Sequence, residues 1–164
     1  MDDRTPPVQS REEAVRGYKQ LLQTYIDRRP SGTRQKIALA LGMMVEVPAA
    51  ALSVAAFDAD FFSIGSNDLI QYVMAASRDE PAVANLYRPH DPAVLELIRR
   101  VVEVGSEKGR EVSLCGEMAA DPVLVPQLLA AGLRRLSVAP AAIGAVKAAI
   151  AAWRREPPES GRHG

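Results

Sequence analysis

The sequence predicts an α/β fold built on a parallel sheet. Short, almost wholly apolar runs alternate with helix-forming segments, and the alternation occurs four times along the chain. Parallel strands are covered by helices on their faces, so a continuous apolar run marks them better than polar–apolar alternation does. Each run also ends at a proline, a glycine or a residue suited to starting a helix. A doubly wound sheet and a piece of a (β/α) barrel both satisfy these observations, and periodicity does not separate them.

The elements follow in order. Residues 1–9 are polar and proline-bearing and form an N-terminal arm. Ser10-Arg11-Glu12-Glu13 has the capping-box pattern, and Val15, Tyr18, Leu21, Leu22, Tyr25 and Ile26 then recur at helical spacing. Residues 28–35 are charged and broken by Pro30 and Gly32, which predicts a loop. The first apolar run covers residues 37–47 and stops at Pro48, ahead of an alanine-rich helix over 49–57. The second, 61–64, ends at Gly65, with a helix from near Asn67. Asp91-Pro92 opens a long amphipathic helix carrying Val94, Leu97, Ile98, Val101 and Val102, with Gly109 as its stop. The third run is 112–115. Asp121-Pro122 opens a helix ended by Gly132; the fourth run is 136–138, and the final helix covers 141–153. A polar tail over 154–164, rich in proline and glycine, is expected to fray.

Composition narrows the function. The chain has 164 residues, enough for one domain with a real core, here residues 10–153. Its formal net charge is zero, so no field draws in nucleic acid or an anionic membrane. No apolar run approaches a membrane span, and the N-terminus lacks a signal-peptide pattern. One cysteine cannot form an internal disulfide, which points to a reducing cytoplasm.

In parallel α/β folds the working residues gather at the C-terminal ends of strands. Three of the four runs end in a reactive group: Glu46, the pair Asn67-Asp68, and Cys115. Two carboxylates from neighbouring strands, Glu46 and Asp68, suit Mg²⁺, which keeps water and substrate oxygens as its remaining ligands. Simple capping of the next helix also accounts for Asp68, and from position alone it is the better account. Gly65-Ser66-Asn67 leads into a helix N-terminus that can receive a phosphate on its backbone N–H groups. Arg78 lies just beyond that helix, placed to clamp the same anion, or to pair with Asp79 and Glu80 at the surface. A thiol at a strand end beside a polarised carbonyl can serve as general acid and base at carbon, or as a covalent nucleophile. Buried filler is the commonest alternative for a lone cysteine. His90 and His163 are loop and tail residues.

Three segments together resemble a known family. Residues 61–72 (FFSIGSNDLIQY), 44–50 (MVEVPAA) and 114–119 (LCGEMA) look like the C-terminal phosphoenolpyruvate-binding barrel of enzyme I. That enzyme is the phosphoenolpyruvate-protein phosphotransferase of the bacterial sugar and nitrogen phosphotransferase systems, related to pyruvate phosphate dikinase. The resemblance covers about residues 10–153 and keeps the motifs in the family's order. It implies a (β/α) barrel of TIM type, present here as its C-terminal half. It also implies Mg²⁺ on Glu46 and Asp68, and phosphoryl contacts from Asn67 and Arg78. Cys115 becomes the acid that protonates enolpyruvate to pyruvate, with Gly116 and Glu117 shaping the wall beside it. Ser77 stands where the family usually has an acid, and Ile70 where it usually has threonine.

The resemblance implies as partners phosphoenolpyruvate or pyruvate and a phosphoryl-carrier protein. Half a barrel leaves unpaired strand edges, so a second copy or a chain with the complementary half is also expected. The earlier strands with their arginines, and the domain with the phosphoryl-accepting histidine, have no counterpart in these residues. The rival expectation is a non-catalytic module that binds phosphoenolpyruvate or pyruvate, or only a partner chain.

Overall fold

The computed structural model of the chain describes residues 16, 17, 20, 21, 24, 40–77 and 79–154. Three of the apolar runs become parallel strands: β1 (Gly42–Val45), β2 (Phe61–Gly65) and β3 (Glu111–Cys115), adjacent in that order. Val45 pairs with Ile64, and Ile64 with Leu114, so these apolar side chains share one face. The links between strands are helical, as parallel pairing requires. Helix α1 (Pro48–Leu52) and a 3₁₀ turn at Val54–Ala56 join β1 to β2. Helix α2 (Ser66–Met74), a second 3₁₀ turn and α3 (Pro92–Glu107) join β2 to β3. Beyond β3 come α4 (Glu117–Ala120), α5 (Val125–Ala130) and α6 (Ile143–Trp153).

The core lies between the sheet and the helices. Val45, Phe62, Ile64 and Leu114 are fully buried against Val94, Ile98 and Val101 of α3 and against Ala51 and Val54. Helix α3 starts where its sequence directs: Asp91 Oδ1 accepts from the Ala93 amide at 3.0 Å, and Pro92 occupies the first turn. The opposite sheet face carries Met44, Phe61, Ser63 and Ser113, of which Met44 is 48% exposed. A three-stranded parallel sheet that the described helices cover on one face is consistent with part of a (β/α) barrel. No described helix is long and apolar enough to cross a membrane.

Several expectations need correction. The fourth run forms no strand and makes a single parallel bridge, Leu136 with Leu114. The Leu114 amide donates to the Arg135 carbonyl, and the Ser137 amide donates to the Leu114 carbonyl. The run is too short for more, because the 3₁₀ turn at Pro140–Ala142 follows at once and proline has no N–H for a ladder. The helix expected from Asp121-Pro122 begins only at Val125, because Asp121 Oδ1 first closes a turn on the Val123 amide. The sequence pattern does not mark helix α4, and the alanine-rich helix breaks at Ser53 into an α and a 3₁₀ piece. Residues 16, 17, 20, 21 and 24 are helical, as the first predicted helix requires. The rest of that helix, the arm, residues 37–39 and the tail from 155 lie outside the described residues.

Candidate active site

The three strand ends form one row. Glu46 follows the last residue of β1 and is half-buried, level with Gly65 at the end of β2. A Cβ built on Gly65 would lie 3.1 Å from Glu46 Oε2, so that carboxylate leans across the glycine. Gly65 pairs in turn with Cys115 at the end of β3. Two strand spacings separate the outer members, which puts the Glu46 and Cys115 backbones about 10 Å apart.

The first turn of α2 lies beside this row and is tied to the turn after β3. The Ser66 hydroxyl is fully buried and donates to the Cys115 carbonyl at 2.7 Å. Asn67 Oδ1 accepts from the Glu117 amide at 3.0 Å, which leaves the Asn67 Nδ2 group as the donor able to meet a ligand. The Tyr87 hydroxyl donates to the Asn67 carbonyl at 3.3 Å. Asp68 is exposed in the same helical turn, where a carboxylate complements the helix dipole. Gly116 makes the crossing possible: its φ is +103°, and a Cβ there would lie 2.4 Å from Ser66 Oγ and 2.8 Å from Asn67 Oδ1.

Cys115 is half-buried on the open face of the sheet, alongside Ser63 and Ser113. Its thiol donates to the Ile64 carbonyl at 3.6 Å, and the Ser63 hydroxyl approaches Sγ at 4.0 Å. Sealed core filler is therefore a poor description of it. A cleft of about 120 Å³, lined by Tyr87, Glu117 and Asp121 among others, adjoins the tie; the strand-end row does not line it.

The sequence profile of the PEP-utilising enzyme, PEP-binding domain (PEP being phosphoenolpyruvate) matches residues 5–155. The chain belongs to this PEP-binding domain family. Similar proteins include phosphoenolpyruvate-protein phosphotransferases of Bacillus sp. (strain S), 45% identical over 132 residues, which is 77% of this chain and 23% of the relative. That of Listeria monocytogenes is 44% identical over 115 residues, 69% of this chain and 20% of the relative. That of Bacillus subtilis is 43% identical over 122 residues, 73% of this chain and 21% of the relative. The chain thus spans about a fifth of the length of these relatives.

Within this PEP-binding domain, Glu46, Asn67, Asp68, Cys115 and Gly116 all lie on the strand-end side of the sheet. Arg78 lies outside the described residues. No group of three or more His, Cys, Asp or Glu able to hold a metal occurs among the described residues. Mg²⁺ does not demand one, since it commonly takes one or two carboxylates with water and substrate oxygens. Glu46 and Asp68 are a hard-oxygen donor set of that kind, with no ion-pair partner among the described residues, so the residues present fit the ion. The hydroxyls of Ser66, Ser63 and Tyr87 carry no signal of their own in the sequence pattern. Ser66 lies inside the glycine turn of residues 65–67, but nothing in the spacing shows that Tyr87 returns over Asn67.

Proposed function

We propose that this chain supplies the phosphoenolpyruvate-binding, Mg²⁺-dependent part of a phosphoenolpyruvate-protein phosphotransferase, arranged as the C-terminal half of a TIM-type barrel. The observation that carries the proposal is the row of Glu46, Gly65 and Cys115, with Asn67 fixed beside it by the Glu117 amide. An acid group and a phosphoryl-binding amide then face one small anion from two sides.

The residues divide the work. Asn67 Nδ2 and the Arg78 guanidinium hold the phosphoryl oxygens, and Gly116 keeps the neighbouring wall free of a side chain. Glu46 and Asp68 hold Mg²⁺, which when bound sets positive charge against the phosphoryl and enolate oxygens. The bond between phosphorus and the enol oxygen breaks as the phosphoryl group passes to the acceptor histidine of the separate histidine-bearing domain, and the electron pair stays with the enolate. The methylene carbon of that enolate takes the proton of Cys115 Sγ, giving pyruvate and a thiolate that water reprotonates. In the reverse direction the thiolate removes a methyl proton. The open sheet face with Met44 and Phe61 is the face that a closed barrel buries. The proposal therefore includes a partner, either a second copy or a chain carrying the complementary half.

Calorimetry tests the site. The wild type is expected to bind phosphoenolpyruvate only with Mg²⁺, and Asp68→Ala to lose that binding. Binding that ignores Mg²⁺, or none at all, removes the active-site reading. Cys115→Ala should keep binding yet stop deuterium exchange at the methyl of pyruvate. Exchange that survives this substitution rules out the thiol as the acid and leaves the non-catalytic binding module.

A further inference from the structure

We infer that Ser66 is a positioning residue, a buried latch that fixes the strand end bearing Cys115 against the helix turn bearing Asn67 and Asp68. The inference rests on the proposed reading of Cys115 and Asn67 as site residues, and it adds a residue to which that reading gives no part.

Ser66 is the one buried polar residue among those described, at 0% exposure. A buried hydroxyl needs a partner, and Ser66 finds it in the Cys115 carbonyl at 2.7 Å, 49 residues away in sequence. That carbonyl belongs to the last residue of β3, at the point where Gly116 turns the chain with φ +103°. Strand pairing gives out there, and from the α2 side this bond holds the carbonyl of the thiol-bearing residue itself. A second bond runs parallel to the first, from the Glu117 amide to Asn67 Oδ1 at 3.0 Å. The crossing admits nothing larger than glycine at residue 116, because a Cβ would strike the Ser66 hydroxyl itself. The two turns therefore behave as one rigid piece. Through it the distance from the phosphoryl-binding amide to the thiol takes a single value, as proton delivery to a carbon beside a held phosphoryl group requires.

The test uses Cys115 as its own reporter, since it is the only cysteine of the chain. Alkylation by iodoacetamide at fixed pH is compared across wild type, Ser66→Ala, Ser66→Thr and Val146→Ala. Val146 belongs to a separate buried cluster with Val125 and Leu129, so its truncation loosens the fold away from the strand end. Ser66→Ala should alkylate roughly fivefold faster, the size of one lost hydrogen bond. Ser66→Thr, which keeps the hydroxyl, and Val146→Ala should stay close to wild type. Unchanged alkylation in Ser66→Ala, or equal acceleration in Val146→Ala, overturns the latch. Hydrogen exchange adds a second reading: the Glu117 amide, which donates to Asn67 Oδ1, should exchange faster in Ser66→Ala and not in Val146→Ala, and an unchanged rate in Ser66→Ala also overturns the latch. Ser66→Ala should further lower methyl-proton exchange while leaving phosphoenolpyruvate affinity in place. Should the wild type show no such exchange, the acid reading of Cys115 fails, and the alkylation arm still decides the role of Ser66.

Discussion

Gly116 shows how much one missing side chain can settle. Its φ of +103° lies where L side chains are strained, and a Cβ would also displace the Ser66 hydroxyl from the Cys115 carbonyl. Gly116→Ala should therefore cost about 2 kcal/mol or more, combining backbone strain with a broken buried hydrogen bond. A urea titration checks this, and an unshifted midpoint would show that the turn relaxes freely. Cys115, Glu46 and Asn67 were legible because strand-end positions follow from counting along apolar runs. The partners of Asn67 were not, since Glu117 is 50 residues away and Tyr87 reaches it only after the chain doubles back.

Helix α3 carries the same lesson at the level of an element. Its start was legible, because Asp91 and Pro92 act within a few residues of one another. Its closeness to the sheet was not. Gly105 is buried in the helix, and a Cβ there would lie 2.3 Å from Val112 Cγ2 of β3. Alanine in place of glycine gains about 1 kcal/mol of helix propensity. Forcing a methyl group into an occupied site costs about 1–3 kcal/mol. The clash wins, so Gly105→Ala should lower stability, and Val112→Ala added to it should recover part of the loss in a double-mutant cycle. A stabilised Gly105→Ala would mean that α3 moves away from β3 at little cost. The fourth run fails as a strand for a reason that composition hides. Apolar character marks burial, but a ladder also needs length, and Pro140 follows too soon.

For the whole molecule, burial is uneven. Val94, Ile98 and Val101 of α3 enter the main core, whereas α6 buries only Val146, in a small separate cluster. Native-state hydrogen exchange should find α6 opening before α3, and equal protection would show that the two clusters unfold as one. The open face of the sheet bears on assembly. If a second copy covers it, sedimentation should show a concentration-dependent dimer that Met44→Lys weakens. A monomer at every concentration leaves the complementary chain as the partner.

The sequence by itself determined the parallel α/β class, the positions of three strands and the residues at their ends. Each of these depends on local patterning and chain direction. Only the tertiary structure decided which turns touch, that Ser66 is the buried tie between them, and that the last apolar run contributes one bridge. Those outcomes depend on contacts between residues about 20 to 50 positions apart in the chain. Sequence pattern carries burial and periodicity, but it holds no record of which distant backbone group a buried hydroxyl will meet.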